Sequence, residues 1–221
     1  MQTEHTKYRG PPWSLDRLAG GWLMGLCSVL RFFDIWNKFP ALVNTTTRVI
    51  VVRIIVSLIY VAAAWKWSKW KDWQKYYPTY LFMLASNFFG AILAHNHTLW
   101  KFSPSFFLPN HTFSDIWIAL VSFPSVSLLY LSRYPENGVF LQVGWIILWT
   151  CITTLNEAMA FSIGNISYDH DWSLAWSAAF NLTMFITLRV HFLNPLAAWV
   201  LSAVVSLFIW NYFGFNIEEM K

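Results

Sequence analysis

Glu157 closes an apolar run that starts at Val139 and holds no other charged side chain. An acid inside a membrane-length apolar run is costly and marks a functional position by default. Thr150, Thr153 and Glu157 fall near one helical face, so a polar stripe toward a bundle interior is expected. At about 1.5 Å per residue, Glu157 lies roughly 27 Å along the axis from Val139, close to one membrane interface. Arg53, a turn into an earlier apolar run, should reach a similar depth and is the expected ion-pair partner, framing a ligand site.

Histidines form the second group. His95-Asn96-His97 ends one apolar run and His111 begins the next, with Asp115 one turn on; Asp169-His170-Asp171 separates a later pair. Imidazole and carboxylate suit zinc, iron, nickel or copper, and three apposed segments could supply three or four ligands. The competing reading is a set of hydrogen-bonded loop residues at the interface. Asn87 and His95, eight apart, share a helical face and either line a polar path or serve an interhelical hydrogen bond. Arg189 and His191 could hold a phosphate headgroup. Alternatively Arg189, like Arg48 and Arg53, snorkels to the interface.

Familiar catalytic signatures are absent from the sequence: no His-Glu-x-x-His zinc motif, no Gly-x-Ser-x-Gly elbow, no P-loop and no dinucleotide fingerprint. The pattern names no cofactor. Asn-x-Ser/Thr occurs at Asn44, Asn96, Asn110, Asn165 and Asn181 and carries little weight.

The elements that must position these groups follow from composition. Hydrophobic residues make up 57% of 221 positions, charged residues 12%, and there are 15 Trp and 19 Phe. Roughly 45–50% apolar and 25% charged is typical of a soluble domain. About 126 apolar residues suffice for six spans of roughly 20 residues each. The expected class is an all-α polytopic transmembrane helix bundle. A soluble enzyme, a disordered regulator and a disulfide scaffold are excluded, and the net charge of +4 with basic residues set between apolar runs argues against nucleic-acid binding. Cys27 and Cys151 build no disulfide framework. The start MQTEHTKYRGPP leads into no apolar stretch of the signal-peptide kind.

Six spans are expected at about 49–65, 79–97, 113–132, 139–163, 173–190 and 195–215, within a bundle covering 41–221. Asn194-Pro195 should cap and start the last helix, and Pro124 should kink the third. Ser86, Gly90 and Ala94 offer a small-residue packing face. Residues 1–40 form a separate polar segment. In it Trp22, Leu26, Val29, Phe33 and Trp36 line one face and Arg31 and Asp34 the other, the pattern of an amphipathic interfacial helix.

Alternation of spans sorts the polar groups. Arg53, His95, His97, His111, Asp115, Glu157 and Asp169–Asp171 fall on one side, here side A. Lys66, Lys69, Lys71, Lys75, Arg133, Arg189 and His191 fall on side B, which the positive-inside rule places in the cytoplasm.

Several segments carry a resemblance: LPNH at 108–111, FP at 123–124, LSRYP at 131–135, Glu157, ISYDHDWSLAWSAAFN at 166–181 and LRVHFLNPLAAW at 188–199. From about Tyr76 to Trp199 the chain resembles a family of small multi-pass membrane proteins of endospore-forming Firmicutes, bacilli and clostridia. The resemblance implies a bacterial cell-membrane protein of several helices and brings no established activity. It draws attention to His111, Glu157, Trp172, Arg189, His191 and Pro195. The first forty residues depart from it.

The expected function is non-enzymatic: binding of a small ligand, ion or protein partner through the side A His/Glu cluster, within the lipid bilayer. The candidate binding residues are Arg53, Asn87, His95, His111, Glu157, His170, Arg189 and His191. A transporter or channel lined by Asn87, His95, Arg53 and Glu157 is the first alternative. A membrane-embedded metal or haem enzyme with histidine ligands and Glu157 as general base is the second.

Overall fold

The computed structural model describes residues 45–103 and 111–216, with side chains from residue 51 onward. The expected amphipathic helix, the polar segment 1–40, Arg48's side chain, Asn44 and Asn110 lie outside the described residues.

Six helices follow in order: α1 (Thr45–Trp67), α2 (Trp73–Leu93), α3 (His111–Ser132), α4 (Val139–Ser162), α5 (Leu174–Leu193) and α6 (Pro195–Tyr212). Local chemistry explains several boundaries. Asn194 accepts the Ala197 N–H at 3.2 Å and Pro195 opens α6, as its spacing predicts. Ser173 caps α5 in the same way, through the Trp176 N–H. Gly138 (φ +88°) precedes α4, a conformation open to glycine at little steric cost.

Two prolines behave differently. Pro78 lies inside α2, which starts at Trp73 rather than at the expected Thr79. The proline withholds a single hydrogen bond from Gln74, near the helix start, and the chain breaks earlier, at a 3-10 turn over Trp70–Asp72. Pro124 interrupts α3 directly after a π-helical turn at Ile118–Ser122. Widening the turn frees backbone acceptors, and the Tyr80 hydroxyl donates to one of them, the Ala119 carbonyl, at 3.4 Å.

Three helices, α3, α4 and α6, are long and apolar enough to cross a membrane. The segments Val51–Trp67 and Trp70–Leu93 meet that test together, with axes bent by 98° across the break. α5 carries Asn181, Arg189 and His191, and it packs against α2, α4 and α6. Asn181 and His191 face other helices, bonded to Thr154 of α4 and Thr79 of α2. By contrast α6 leaves Leu196, Val200, Val204 and Leu207 exposed, a row at helical spacing that water would penalise. The expected packing face at Gly90 is also open, since an added Cβ there would meet nothing within 4 Å.

The core is aromatic. Tyr130, Trp149 and Phe185 are fully buried, and the Tyr130 hydroxyl donates to the Phe185 carbonyl at 2.9 Å. The Trp145 indole returns a bond to the Tyr130 carbonyl at 3.1 Å, so the polar groups of Tyr130 and Trp145 are satisfied within the packed rings.

One feature departs from an all-helical chain. Trp100–Phe102 (β1) and Ile166–Tyr168 (β2) pair antiparallel, Trp100 opposite Tyr168 and Phe102 opposite Ile166. Three residues per strand are too few to reveal a period of two in sequence. This ribbon ties the α2–α3 connection to the α4–α5 connection. Beneath it Leu99, Trp172 and Phe213 form a small apolar cluster, flanked by Trp176 and Phe215.

Candidate functional site

The ribbon positions the site. Ser103 directly follows β1 and Asn165 directly precedes β2, and both meet the side chain of Arg53 from α1. Arg53 is 5% exposed. Its Nη1 donates to Ser114 Oγ at 2.6 Å, and Nη2 donates to the Ser103 carbonyl at 3.3 Å and to Asn165 Oδ1. Among the described residues its Nε–H has no acceptor. All three acceptors are neutral, and the countercharge felt by the guanidinium is that of Asp115.

Phe102 links this group to His111. The guanidinium carbon lies 5.5 Å from the Phe102 ring centroid, and the His111 ring stacks on Phe102 at 5.5 Å. The Phe102 N–H donates to His111 Nδ1 at 3.1 Å. A backbone N–H can only donate, so Nδ1 carries the lone pair and the neutral ring holds its proton on Nε2. That nitrogen faces Asp115 Oδ2 at 3.4 Å. Arg53, His111, Asp115, Ser114 and Asn165 thus form one polar group at the base of the ribbon, its Arg53, Ser114 and Asn165 buried and its His111 and Asp115 partly exposed.

Glu157 belongs to a neighbouring group, and the expected Arg53–Glu157 pair does not form among the described residues. Oε1 of Glu157 accepts from Ser177 Oγ at 2.5 Å and from the Tyr168 hydroxyl at 3.0 Å. The Trp172 indole donates to Ser177 Oγ at 2.8 Å. With its proton given to Glu157 and a lone pair given to Trp172, Ser177 is held as a structural link rather than freed as a nucleophile. One turn back, Asn181 Nδ2 donates to Thr154 Oγ1 at 3.2 Å. The stripe between helices is Thr154 and Glu157, whereas Thr150 and Thr153 return their hydroxyls to their own helix. Burial chiefly pushes the Tyr168 hydroxyl up to about 12.

A third group lies on the ribbon's outer turn. His170 and Asp171 have φ of +49° and +60°, and the Trp172 N–H returns to the Asp169 carbonyl at 3.0 Å. Two successive left-handed residues make the tight reversal that suits a twisted ribbon. Supporting contacts hold them there: His170 Nδ1 donates to the Thr98 carbonyl at 3.0 Å, and its ring stacks on His97 at 3.7 Å. Asp169 pairs with Lys101 at 2.9 Å, and hydrogen bonds from Lys101 and the His170 amide hold its carboxyl below the usual range.

Side A thus gathers Arg53, His111, Glu157 and His170 around the ribbon, in three adjoining groups. His95 is exposed and joins none of them. Asn87 lies away from the ribbon, on α2, with Oδ1 buried and without a partner. At the other end His191 Nδ1 and Thr79 Oγ1 are hydrogen-bonded at 3.0 Å, and the ring stacks on Phe82 at 4.3 Å, so His191 is sealed among helices. Arg189 lies over Tyr134 at 4.2 Å. Among the described residues no three His, Cys, Asp or Glu side chains converge to hold a metal ion. The alternative of a coordination site thus finds no such cluster there, and His111 Nδ1 and His170 Nδ1 are engaged by backbone groups.

Ser103, Ser114, Asn165, Tyr168 and Ser177 are the residues that sequence reasoning passed over. Asn165 carried one usable signal, a glycine just before it: Gly164 (φ +73°) turns the chain out of α4 and into β2. The chain matches no protein-family profile, no curated protein and no solved structure.

Proposed function

We propose that this chain is a multi-pass protein of a bacterial cell membrane that binds a small ligand at the Arg53 group and catalyses no reaction on it. The spans would be α1 to α6, preceded by an interfacial amino-terminal helix, with side B in the cytoplasm. The exposed apolar row of α6 and the tryptophans at the α1–α2 break support that placement. The resemblance to membrane proteins of spore-forming bacteria agrees with it.

One observation carries the binding reading. Among the described residues, a guanidinium buried to 5% exposure meets only neutral acceptors and keeps its Nε–H unspent. A buried cation with an unused donor is expensive, and a ligand oxygen would satisfy it. The ligand class is therefore a small molecule presenting an acceptor oxygen, with the His111–Asp115 pair beside it.

Native mass spectrometry of protein purified gently from its membranes tests the ligand. A bound small-molecule mass should be present in the wild type and lost in Arg53→Lys, whose ammonium lacks the planar fork. Identical, adduct-free spectra for both proteins would sink the binding reading. Topology is tested separately, with Cys27 and Cys151 replaced by serine. An impermeant maleimide should label Lys101→Cys and Asp171→Cys from one side of sealed vesicles, and Lys71→Cys and Glu136→Cys from the other. Labelling of all four from the same side would overturn the six-span arrangement.

A further inference from the structure

The basic end of the helices holds a second arrangement, independent of Arg53. The Arg189 guanidinium lies 4.2 Å over the Tyr134 ring and 5.6 Å from the centroid of Phe192. Lys75 Nζ lies 5.4 Å from the same Phe192 ring. Two cations on one ring are therefore no more than about 11 Å apart (5.4 plus 5.6), close enough for one phosphate to serve both through direct or water-bridged bonds. Tyr76 stacks on Phe192 at 5.6 Å and 16°, which fixes the platform. Among the described residues no carboxylate pairs with Lys75 or Arg189. The acids whose fields reach this corner are Asp72 and Glu136.

We infer that Lys75 and Arg189, seated on Phe192 and Tyr134, form a binding site for the phosphate of an anionic phospholipid. The surroundings favour a lipid over free phosphate. Just beyond the cations the helix surface turns apolar and open, with Leu193 66%, Leu196 78% and Trp199 47% exposed. Acyl chains would cover that surface while the headgroup meets the cations. Aromatic contacts hold the arginine in place before the lipid arrives, which lowers the entropy cost of binding. His191 is not part of the site, being engaged by Thr79 and Phe82. The site rests on the membrane placement and not on the Arg53 ligand.

The test uses the full chain, delipidated and exposed to mixed micelles of equimolar phosphatidylglycerol and phosphatidylcholine, with retained lipid counted by native mass spectrometry. Phosphatidylglycerol should be retained preferentially. Each lost cation is worth about 1 kcal/mol near such a surface, or about fivefold, so Lys75→Gln and Arg189→Gln should each lower retention about fivefold. Lys69→Gln, at the same end but off the platform, removes no direct bond to the phosphate and should lower retention less than either. Equal losses in all three variants would mean diffuse attraction and overturn the site. Lys75 is exposed, so its substitution stays informative if Arg189→Gln fails to fold. Millimolar inorganic phosphate should leave the lipid bound; if it strips the lipid, the cradle serves free phosphate and the lipid assignment falls. Loss of lipid preference with intact two-sided maleimide labelling would reject this site and spare the membrane placement.

Discussion

The amide of Phe102 and the imidazole of His111 are joined by a 3.1 Å hydrogen bond that sets which nitrogen of the ring carries the proton. That bond couples the edge of a two-stranded ribbon to the first residue of α3, and through Nε2 to Asp115.

Substituting His111→Phe keeps the stacked ring and removes the acceptor. A net hydrogen bond contributes roughly 0.5–1.5 kcal/mol, so the Phe102 amide should exchange with solvent several-fold to about tenfold faster. Amide hydrogen exchange resolved at Phe102 measures this. An unchanged rate would show that the ring nitrogen does not hold the strand.

Arg53→Met should destabilise the fold by roughly 2–5 kcal/mol, because it strands Ser114, Asn165 and the Ser103 carbonyl without their donor. Thermal unfolding in detergent should show a clear loss of melting temperature. Ser114→Ala, which removes a single acceptor, should cost less. Equal melting temperatures for Arg53→Met and the wild type would contradict a clamp built on this side chain.

Tyr168 supplies a dependence on pH. Its folded pKa is raised from the ordinary 10.0 to about 12, first by burial. The contribution of the neutral hydroxyl is therefore complete below about pH 10 and fades as pH rises through 12. Glu157→Gln removes one like charge and leaves the burial, so the tyrosinate transition should move down yet stay above the ordinary value. Difference absorbance against Tyr168→Phe reads it; a transition at the ordinary value in Glu157→Gln would assign the whole shift to the carboxylate.

At the ribbon's turn the sign is opposite. Asp169 is depressed by its bonds from Lys101 and the His170 amide, so its contribution is present above the ordinary carboxylate pKa and lost as pH falls through the lowered one. The pair is exposed, and solvent screens it. Asp169→Asn should leave the melting temperature unchanged and loosen only the turn, seen as faster proteolysis near His170. A large fall in melting temperature would give this pair a weight that its exposure does not predict.

Cap chemistry and the order of the apolar helices are readable because each is local. Asn194-Pro195 announces α6 from two adjacent residues, and the alternation of apolar runs brings His111, His170 and Arg53 to one end. What was hidden depends on contacts distant in sequence. The search for a partner to Arg53 favoured an acid, and Glu157 was the acid at matching depth. The acceptors that hold it are neutral: a serine, a carbonyl and an asparagine that reads as a glycosylation triplet. The spacing of the histidines says nothing of stacking, which sets the His97 and His170 rings against each other. The break between α1 and α2 falls within the expected connection, but its 98° bend and the early restart of the helix at Trp73 have no signal in the sequence.

The distance along the chain between Arg53 and Asn165 bears on how this protein is made. They stand 112 residues apart, and synthesis runs from the amino terminus. The arginine emerges long before the asparagine that will accept its hydrogen bond, and Ser114 emerges between them. Until α4 has been completed and β2 can pair with β1, the guanidinium must wait in water or with a partial set of partners. The set of partners around Arg53 is therefore completed late, only after three further helices have been made and β2 can close on β1.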